Sequence, residues 1–172
     1  MADLAARVRE AALLEGDFVL SSGRRSRFYV DKYLFSTEPG LLGEISRELA
    51  GRIPGGVDRL AGVELGAVPL VVAVSLQSGL PYVIVRRSGK SYGTAREIEG
   101  RLQEGESVVL LEDVVTTGAQ ALAAAERLCA LGCRVERIVA VLDRRERPEE
   151  RLGRFHFEAL LRMGDLGVDT PV

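Results

Sequence analysis

An apolar run near the middle of the chain is followed directly by acidic, hydroxyl and glycine residues. The run 107–111 is typical of a buried strand, and the acids Glu112 and Asp113 come directly after it. Two carboxylates at such a strand end suit the hydroxyls of a ribose or a bound divalent cation. Hydroxyls, a glycine and free backbone amides at the start of a helix, here 116–120, form an anion site that the helix dipole favours. Together the acids and the anion site predict a pocket for a phosphorylated ribose.

The residues that this pocket would use are consecutive in the sequence. Thr116 and Thr117, taken alone, are more often a helix cap than a binding site, so the interpretation depends on the whole run. The predicted binding segment consists of Glu112, Asp113, Val114, Val115, Thr116, Thr117, Gly118, Ala119 and Gln120.

A second candidate is the polar stretch 86–94, which follows an apolar run and contains Gly89 and Gly93. Stretches bracketed by glycines are typical of loops. Lys90 lies at the centre of this one, although the chain contains only two lysines and arginine is its usual cation. A lysine carries a compact charge on a flexible stem, which suits a group that follows a phosphate through a reaction. A solvent-exposed run of charges is the alternative interpretation.

Two further segments are polar beside predicted strands. Residues 16–31 contain a turn between two short apolar runs and predict a hairpin. Arg144 follows Asp143 at the end of the last predicted strand and begins an arginine-rich turn. Considered alone, such a hairpin is more often structural, and such a turn is more often exposed surface.

The elements around these segments predict an α/β fold. Short, continuous apolar runs, as in strands buried on both faces, occur at 60–63, 82–85, 107–111 and 135–142. Predicted helices alternate with them and cover 3–14, a stretch that begins at Pro39, 67–78 and 119–131. This alternation indicates a parallel sheet flanked by helices, in one domain that spans 1–172. Residues 148–172 receive no assignment beyond a possible edge strand.

The composition limits the classes of protein that remain. The 172 residues include 23 basic and 25 acidic side chains, for a net charge of −2. That balance argues against a broad affinity for nucleic acid or for a membrane surface, since both require a basic excess. No apolar run approaches the roughly 20 residues that span a bilayer, and no signal pattern is evident, so a cytoplasmic location is expected. With two cysteines and one histidine, a metal site built by the protein alone is not expected.

Taken together, the segments resemble the orotate phosphoribosyltransferases, which belong to the type I phosphoribosyltransferases. Residues 107–118 resemble the motif for 5-phosphoribosyl 1-diphosphate (PRPP): an apolar strand, two acids, two apolar residues, threonine, a small residue or threonine, and glycine. Residues 86–100 resemble the catalytic loop of the family, 16–31 its orotate-side hairpin, and 62–67 the loop beneath the pyrophosphate. The resemblance covers most of 16–147 in family order.

The resemblance implies a reaction and its partners. Orotate and PRPP would give orotidine 5′-monophosphate and pyrophosphate, with Mg²⁺ as the cofactor, held mainly through PRPP. The implied fold is that of the type I phosphoribosyltransferases, in which residues 1–35 would form a small N-terminal hood over the site. The family also forms homodimers in which the loop of one subunit reaches the site of the other, so Lys90 would be shared across the interface.

The resemblance also implies roles for particular residues. Lys90 would be catalytic at the leaving group, with Glu112 and Asp113 at the ribose. PRPP would be bound by the segment 112–120 and by Arg86, Arg87, Lys90 and Tyr92. Orotate would be bound by Tyr29, Val30, Thr116 and Arg144, since an arginine fork matches a planar carboxylate.

Three positions depart from the pattern of some family members. Tyr92 stands at a His-or-Tyr position, while Ser21 and Gly66 stand where some members have lysine, so the contacts of those lysines are not carried over. One alternative is a phosphoribosyltransferase for a purine or uracil, which would leave the hairpin and Arg144 without a rationale. The other is a regulatory protein that binds nucleotides and nucleic acid, which the net charge of −2 opposes.

Overall fold

The described part of the chain contains five helices and nine strands. A computed structural model describes residues 2–19, 23, 25–87 and 97–168. The helices are α1 (Ala2–Ala12), α2 (Lys32–Ser36), α3 (Pro39–Ala50), α4 (Ala67–Ser78) and α5 (Ala119–Ala130). The strands are β1 (Leu13–Val19), β2 (Arg25–Val30), β3 (Arg59–Val63), β4 (Tyr82–Val85), β5 (Ile98–Glu99), β6 (Ser107–Val115), β7 (Arg134–Asp143), β8 (Arg151–Leu152) and β9 (Phe155–Arg162), and a short 3₁₀ helix, Met163–Leu166, follows. None of the described helices has both the length and the apolarity needed to cross a membrane.

Seven of the strands form one sheet, in the order β5–β4–β3–β6–β7–β9–β8. The strands β3, β4, β6, β7 and β9 are parallel, and the two-residue strands β5 and β8 pair antiparallel at the edges. The chain order reverses beside β3, because β4 lies on one side of it while β6 and β7 follow on the other. The predicted parallel sheet is therefore confirmed, and such a reversal is where an open sheet forms a ligand crevice.

Helices cover both faces of the sheet, which explains why its strands are continuously apolar. One core cluster joins the sheet to α1, α3 and α4 and includes the buried side chains of Leu4, Ile45 and Leu70. The other cluster packs α5 against the opposite face and includes Leu128 and Ile138. Burying such a side chain stabilises the fold by roughly 1.5–3 kcal/mol. The two clusters therefore hold the carboxyl ends of the strands in fixed positions.

The first helix is shorter than the sequence predicts. Its apolar spacing predicts a helix over 3–14, but α1 ends at Ala12 and β1 begins at Leu13. Leu13 pairs with Val30 in the antiparallel β1–β2 ladder, and the Asp31 N–H donates to the Ala12 carbonyl at 2.9 Å. Pairing across the hairpin thus outweighs the helical spacing, and the two predicted hairpin strands are both present.

Two strands extend the sheet beyond the prediction. β6 continues to Val115, so Glu112 and Asp113 lie within the strand instead of after it. The cause is the neighbouring β7, which pairs with β6 as far as Val115. β9 lies in the C-terminal segment that had no firm assignment; it runs parallel to β7, and only the short β8 lies outside it.

Candidate active site

A cavity of about 670 Å³ opens at the carboxyl ends of the parallel strands. Its wall combines the end of β6 and the start of α5 with the β1–β2 hairpin, α2 and the turn after β7. The predicted site residues that line it are Tyr29, Val30, Arg87, Glu112, Val114, Val115, Thr116, Thr117, Gly118, Ala119, Gln120 and Arg144. Residues that lie far apart in the sequence therefore meet in one cavity.

The turn between β6 and α5 has the geometry of an anion site. Gly118 adopts a φ of 80°, a left-handed conformation that glycine tolerates best, directly before the first turn of α5. A Cβ at this position would overlap Leu152 Cδ1 and lie 3.1 Å from its Cδ2, so packing also requires glycine. Thr116 and Thr117 precede it with exposed side chains, and Thr117 Oγ1 accepts the Ala119 N–H at 3.3 Å. The hydroxyls and the helix N-terminus can therefore donate hydrogen bonds to a phosphate group.

Two neighbouring carboxyl groups are buried at the end of β6. Glu112 is 4% exposed and lines the cavity, whereas Asp113 is 1% exposed and is not part of the cavity wall. Asp113 Oδ1 accepts the Val114 N–H at 2.6 Å, and its Oδ2 lies 2.7 Å from Lys32 Nζ. Burial and then the charge of Asp113 raise the pKa of Glu112 to about 9, while Lys32 and Arg87 act in the opposite direction. The raised pKa of Glu112 favours its neutral form, and the neighbouring Asp113 side chain is paired with Lys32.

Arg144 is a half-buried cation with no acidic partner in the described part of the chain. Its backbone N–H donates to the Val115 carbonyl at 2.8 Å, which fixes the residue to the end of β6. Burial lowers the pKa of its guanidinium, and nearby Tyr29 acts in the opposite direction. The Nε atom is buried and has no hydrogen-bond partner among the described residues. Because an unpaired buried cation costs free energy, this position is suited to an anionic ligand.

The next residue, Arg145, is fully engaged with the protein. Its Nε and Nη2 atoms each donate to a different oxygen of Asp143, both at 2.9 Å. It also donates to the carbonyl oxygens of Glu149 at 2.6 Å and Arg151 at 3.0 Å. Arg145 therefore holds the turn after β7 in shape, and this turn presents Arg144 to the cavity.

The polar stretch after β4 brings Arg87 to the cavity but directs Arg86 elsewhere. Arg86 Nη1 donates to Glu99 Oε1 at 2.7 Å, and Arg86 is not part of the cavity wall. Its backbone N–H donates to the Glu97 carbonyl at 2.9 Å, so residues 86 and 97 lie side by side. Arg127 of α5 donates to the carbonyl oxygens of Arg86 and Arg87. The predicted contact between Arg86 and the diphosphate stays a prediction.

Some of the singled-out positions lie outside the described residues. These are Ser21, Lys90 and Tyr92. The catalytic role of Lys90 and the donor contact of Tyr92 therefore stay predictions.

The cavity wall also includes side chains that the sequence interpretation missed. These are Val19, Lys32, Ala121 and Glu146. Lys32 is the other of the two lysines, so the rarity of lysine that draws attention to Lys90 applies equally to it. Its contact with Asp113 joins two distant parts of the sequence, which no local motif could indicate.

Comparison with known proteins gives a consistent set of similarities. The family model described as the phosphoribosyl transferase domain matches residues 40–156. An orotate phosphoribosyltransferase from Haloquadratum walsbyi is 48% identical over 170 residues, which cover 97% of this chain and 92% of that protein. The solved orotate phosphoribosyltransferase from Aeropyrum pernix has a TM-score of 0.81 at 29% identity, with 96% of each chain covered. The orotate phosphoribosyltransferase from Mycobacterium tuberculosis H37Rv, solved in complex with PRPP, has a TM-score of 0.75 at 28% identity and covers 97% of this chain and 98% of its own.

Proposed function

The chain belongs to the phosphoribosyl transferase family and, within it, to the orotate phosphoribosyltransferases, and from this premise we propose how its residues divide the work of the reaction. Orotate replaces the diphosphate of PRPP, which gives orotidine 5′-monophosphate and pyrophosphate in pyrimidine biosynthesis. One observation carries the assignment of the acceptor to this cavity. It is the half-buried Arg144 side chain, with a buried Nε and no acidic partner in the described ranges, in the same cavity as the anion site at the start of α5.

The donor would be held at the junction of β6 and α5. The turn 116–120 would bind the 5′-phosphate, because its amides and hydroxyls lie at the positive end of the helix dipole. Glu112 and Asp113 would hold the ribose hydroxyls. A neutral carboxyl group can donate and accept a hydrogen bond, whereas a carboxylate only accepts, so the two acids suit hydroxyls that do both.

Orotate would be bound by the hairpin side of the cavity together with Arg144. Orotate carries a planar carboxylate, which a guanidinium fork can bind through two hydrogen bonds. Binding this anion would also offset the desolvation of the Arg144 side chain. Tyr29 and Val30 line the cavity from the hairpin, and Thr116 lines it from the donor side. The position of the hairpin supports a hood formed by residues 1–35 within a single domain, 1–172.

Charges near the departing diphosphate would lower the barrier to transfer. The diphosphate gains negative charge as it leaves, while the ribose carbon becomes positive, so fixed cations stabilise the first and fixed anions the second. Arg87 lies at the cavity wall, and Lys90 is the proposed catalytic cation of the same stretch. Asp113 would supply the negative charge on the ribose side, whereas Glu112, as a neutral carboxyl, would contribute a hydrogen bond to a ribose hydroxyl.

The site is compatible with Mg²⁺ that enters with the donor. Mg²⁺ usually keeps several waters and binds through one or two carboxylates together with substrate phosphates. Glu112 Oε2 is buried without a hydrogen-bond donor among the described residues, and it would become an oxygen ligand for the ion on losing its proton. The described residues contain no cluster of three or more acidic, cysteine or histidine side chains that could hold the ion alone. Mg²⁺ would therefore be held mainly through PRPP, where it supplies positive charge at the diphosphate.

A cytoplasmic location is part of the same proposal. Cys129 and Cys133 are both free thiols, as is usual for proteins of a reducing compartment. The net charge of −2 supports small-molecule partners over nucleic acid.

A base panel tests the identity of the acceptor. With PRPP and Mg²⁺ present, the protein is expected to release pyrophosphate with orotate and not with uracil, adenine or guanine. Release with one of the other bases would support a different phosphoribosyltransferase. If no base gave release and the protein instead showed salt-sensitive nucleic-acid binding, the regulatory alternative would replace the proposal.

Arg144→Ala is expected to raise the KM for orotate by roughly 30- to 100-fold, because hydrogen bonds to charged groups contribute about 1.5–3 kcal/mol. The KM for PRPP is expected to change by less than about threefold, since the anion site at α5 is intact. Arg147→Ala serves as the control, because Arg147 is an exposed arginine of the same turn and is not part of the cavity wall. Steady-state kinetics with each substrate varied decide the matter, and equal increases in both KM values would contradict the base-side assignment.

Sharing of Lys90 between the subunits of a homodimer can be tested by mixing two strongly impaired variants. Lys90→Ala and Asp113→Asn proteins are denatured together and refolded. If Lys90 acts across the interface, about a quarter of wild-type activity returns, since half of the dimers are mixed and each has one intact site. If Lys90 acts within its own subunit, each site of a mixed dimer lacks either Lys90 or Asp113. No activity then returns.

A further inference from the structure

The side chain of Lys32 connects the N-terminal region to the donor side of the cavity. Lys32 is the first residue of α2, and the preceding Asp31 fixes the start of that helix by accepting the Tyr33 N–H at 3.0 Å. The Lys32 side chain is 25% exposed and lines the cavity, while its Nζ lies 2.7 Å from Asp113 Oδ2. The ammonium group is therefore shared between the solvent of the cavity and a carboxylate that solvent does not reach.

The backbone beside this ion pair leaves no room for a side chain. A Cβ on Gly66 would overlap Asp113 Oδ2, and it would lie 2.6 Å from Asp113 Cγ and 2.9 Å from Lys32 Nζ. Gly66 directly precedes α4, and its missing side chain is the space in which the ion pair lies. Three segments that are distant in the sequence thus fix the position of one carboxylate.

The charges around Asp113 explain why it needs this partner. Glu112 is adjacent, and two buried carboxyl groups in contact cannot both ionise without a nearby cation. Lys32 is the only cation at ion-pair distance from Asp113 among the described residues. Arg87 also faces the acids, but its side chain is exposed and it acts on Glu112 from the rim. Lys32 is therefore the cation that can hold Asp113 in one orientation.

We propose that Lys32 is a positioning residue for the transfer reaction, which holds the Asp113 carboxylate in one orientation beside Glu112 at the donor side of the cavity. The inference rests on the proposed donor site, in which the two acids hold the ribose. It adds a function to the hood, since α2 supplies the counter-ion of the β6 acid as well as covering the cavity. Lys32 acts through Asp113, so its effect should vanish when the carboxylate is removed.

A double-mutant cycle tests this dependence. Lys32→Met keeps an unbranched side chain that is one atom shorter and removes its charge, and it is expected to lower kcat/KM for PRPP by about 30-fold. In an Asp113→Asn background the same change is expected to lower kcat/KM for PRPP by less than about threefold, because residue 113 no longer carries a carboxylate. Lys32→Arg, which keeps the charge, is expected to lose less than about fivefold. The KM for orotate is expected to change little in all of these variants.

The control is an ion pair of similar length outside the cavity. Arg154 Nη2 lies 2.6 Å from Glu126 Oε2 on the exposed surface, and Arg154→Met is expected to change kcat/KM by less than about twofold. The Lys32→Met/Asp113→Asn variant also covers the case in which Lys32→Met alone does not fold, because it removes both charges of the buried pair together.

Two results would overturn the proposal. One is that Lys32→Met lowers kcat/KM for PRPP by the same factor in the Asp113→Asn background as in the wild type, since Lys32 would then act independently of Asp113. The other is an unchanged kcat/KM for PRPP in Lys32→Met. Calorimetry with PRPP and Mg²⁺ measures the affinity of the same four proteins for the donor, and it needs no acceptor base. If the protein does not use orotate, the proposed acceptor is wrong. The role of Lys32 is then still decided by the affinities for PRPP.

Discussion

A Gly66→Ala variant is expected to have an affinity for PRPP and a kcat/KM for PRPP that are both at least about 10²-fold lower than those of the wild type. A displacement of about 1 Å at a reacting group can have an effect of this size. The added Cβ would overlap Asp113 Oδ2, so the carboxylate would have to rotate away from both Lys32 and the Val114 N–H. The loss should appear in calorimetry with PRPP and Mg²⁺ as well as in kcat/KM for PRPP.

Gly43→Ala is the matched control for this variant. Gly43 lies inside α3, and a Cβ there would have no neighbour within 4 Å. Alanine in a helix interior is more favourable than glycine by roughly 0.5–1 kcal/mol, so this variant should melt at a slightly higher temperature with unchanged kinetics. PRPP binding by Gly66→Ala at the wild-type level would show that the position of Asp113 does not matter for the donor.

A Lys90→Ala variant is expected to lower kcat by at least about 10²-fold, the size typical of losing one positioned charge in the transition state. The charge matters most as the diphosphate leaves, so the KM for orotate should change much less than kcat. Single-turnover measurements at saturating PRPP would separate this loss from weaker binding.

Arg101→Ala removes the same charge at an exposed position beyond the polar stretch and is expected to leave kcat unchanged. A Lys90→Ala protein with near-wild-type kcat would refute the assignment of the stretch 86–94 as the catalytic loop. The diphosphate would then have to be stabilised by Arg87 and the donor-bound metal ion alone.

The parts of the fold and site that could be predicted are those encoded by neighbouring residues. The parallel sheet follows from short apolar strands that alternate with helices, and both the sheet and the family are confirmed. The segment 112–120, of which all but Asp113 lines the cavity, could be found because acids, hydroxyls and a glycine succeed one another within a single strand–turn–helix unit. Its binding of the donor stays a prediction. The same locality explains why the helix over 67–78 has the predicted bounds, since the left-handed Gly79 ends it.

The parts that could not be predicted depend on contacts between distant segments. The end of α1 at Ala12 and the extension of β6 to Val115 are both decided by a pairing strand. The different environments of Arg144 and Arg145 depend on Asp143 and the carbonyl oxygens of the following turn. In the same way, the direction of Arg86 is decided by Glu99 across the polar stretch. Residue type alone cannot distinguish a cation that binds a ligand from one that binds the protein.

The space left empty by Gly66 has a consequence for the history of this sequence. A side chain at position 66 and a carboxylate held by Lys32 would compete for one volume, so the two arrangements exclude each other. A side chain at position 66 therefore requires the Asp113 carboxylate to take another position. Among the relatives of this chain, a residue other than glycine at position 66 should be rare wherever position 32 is lysine.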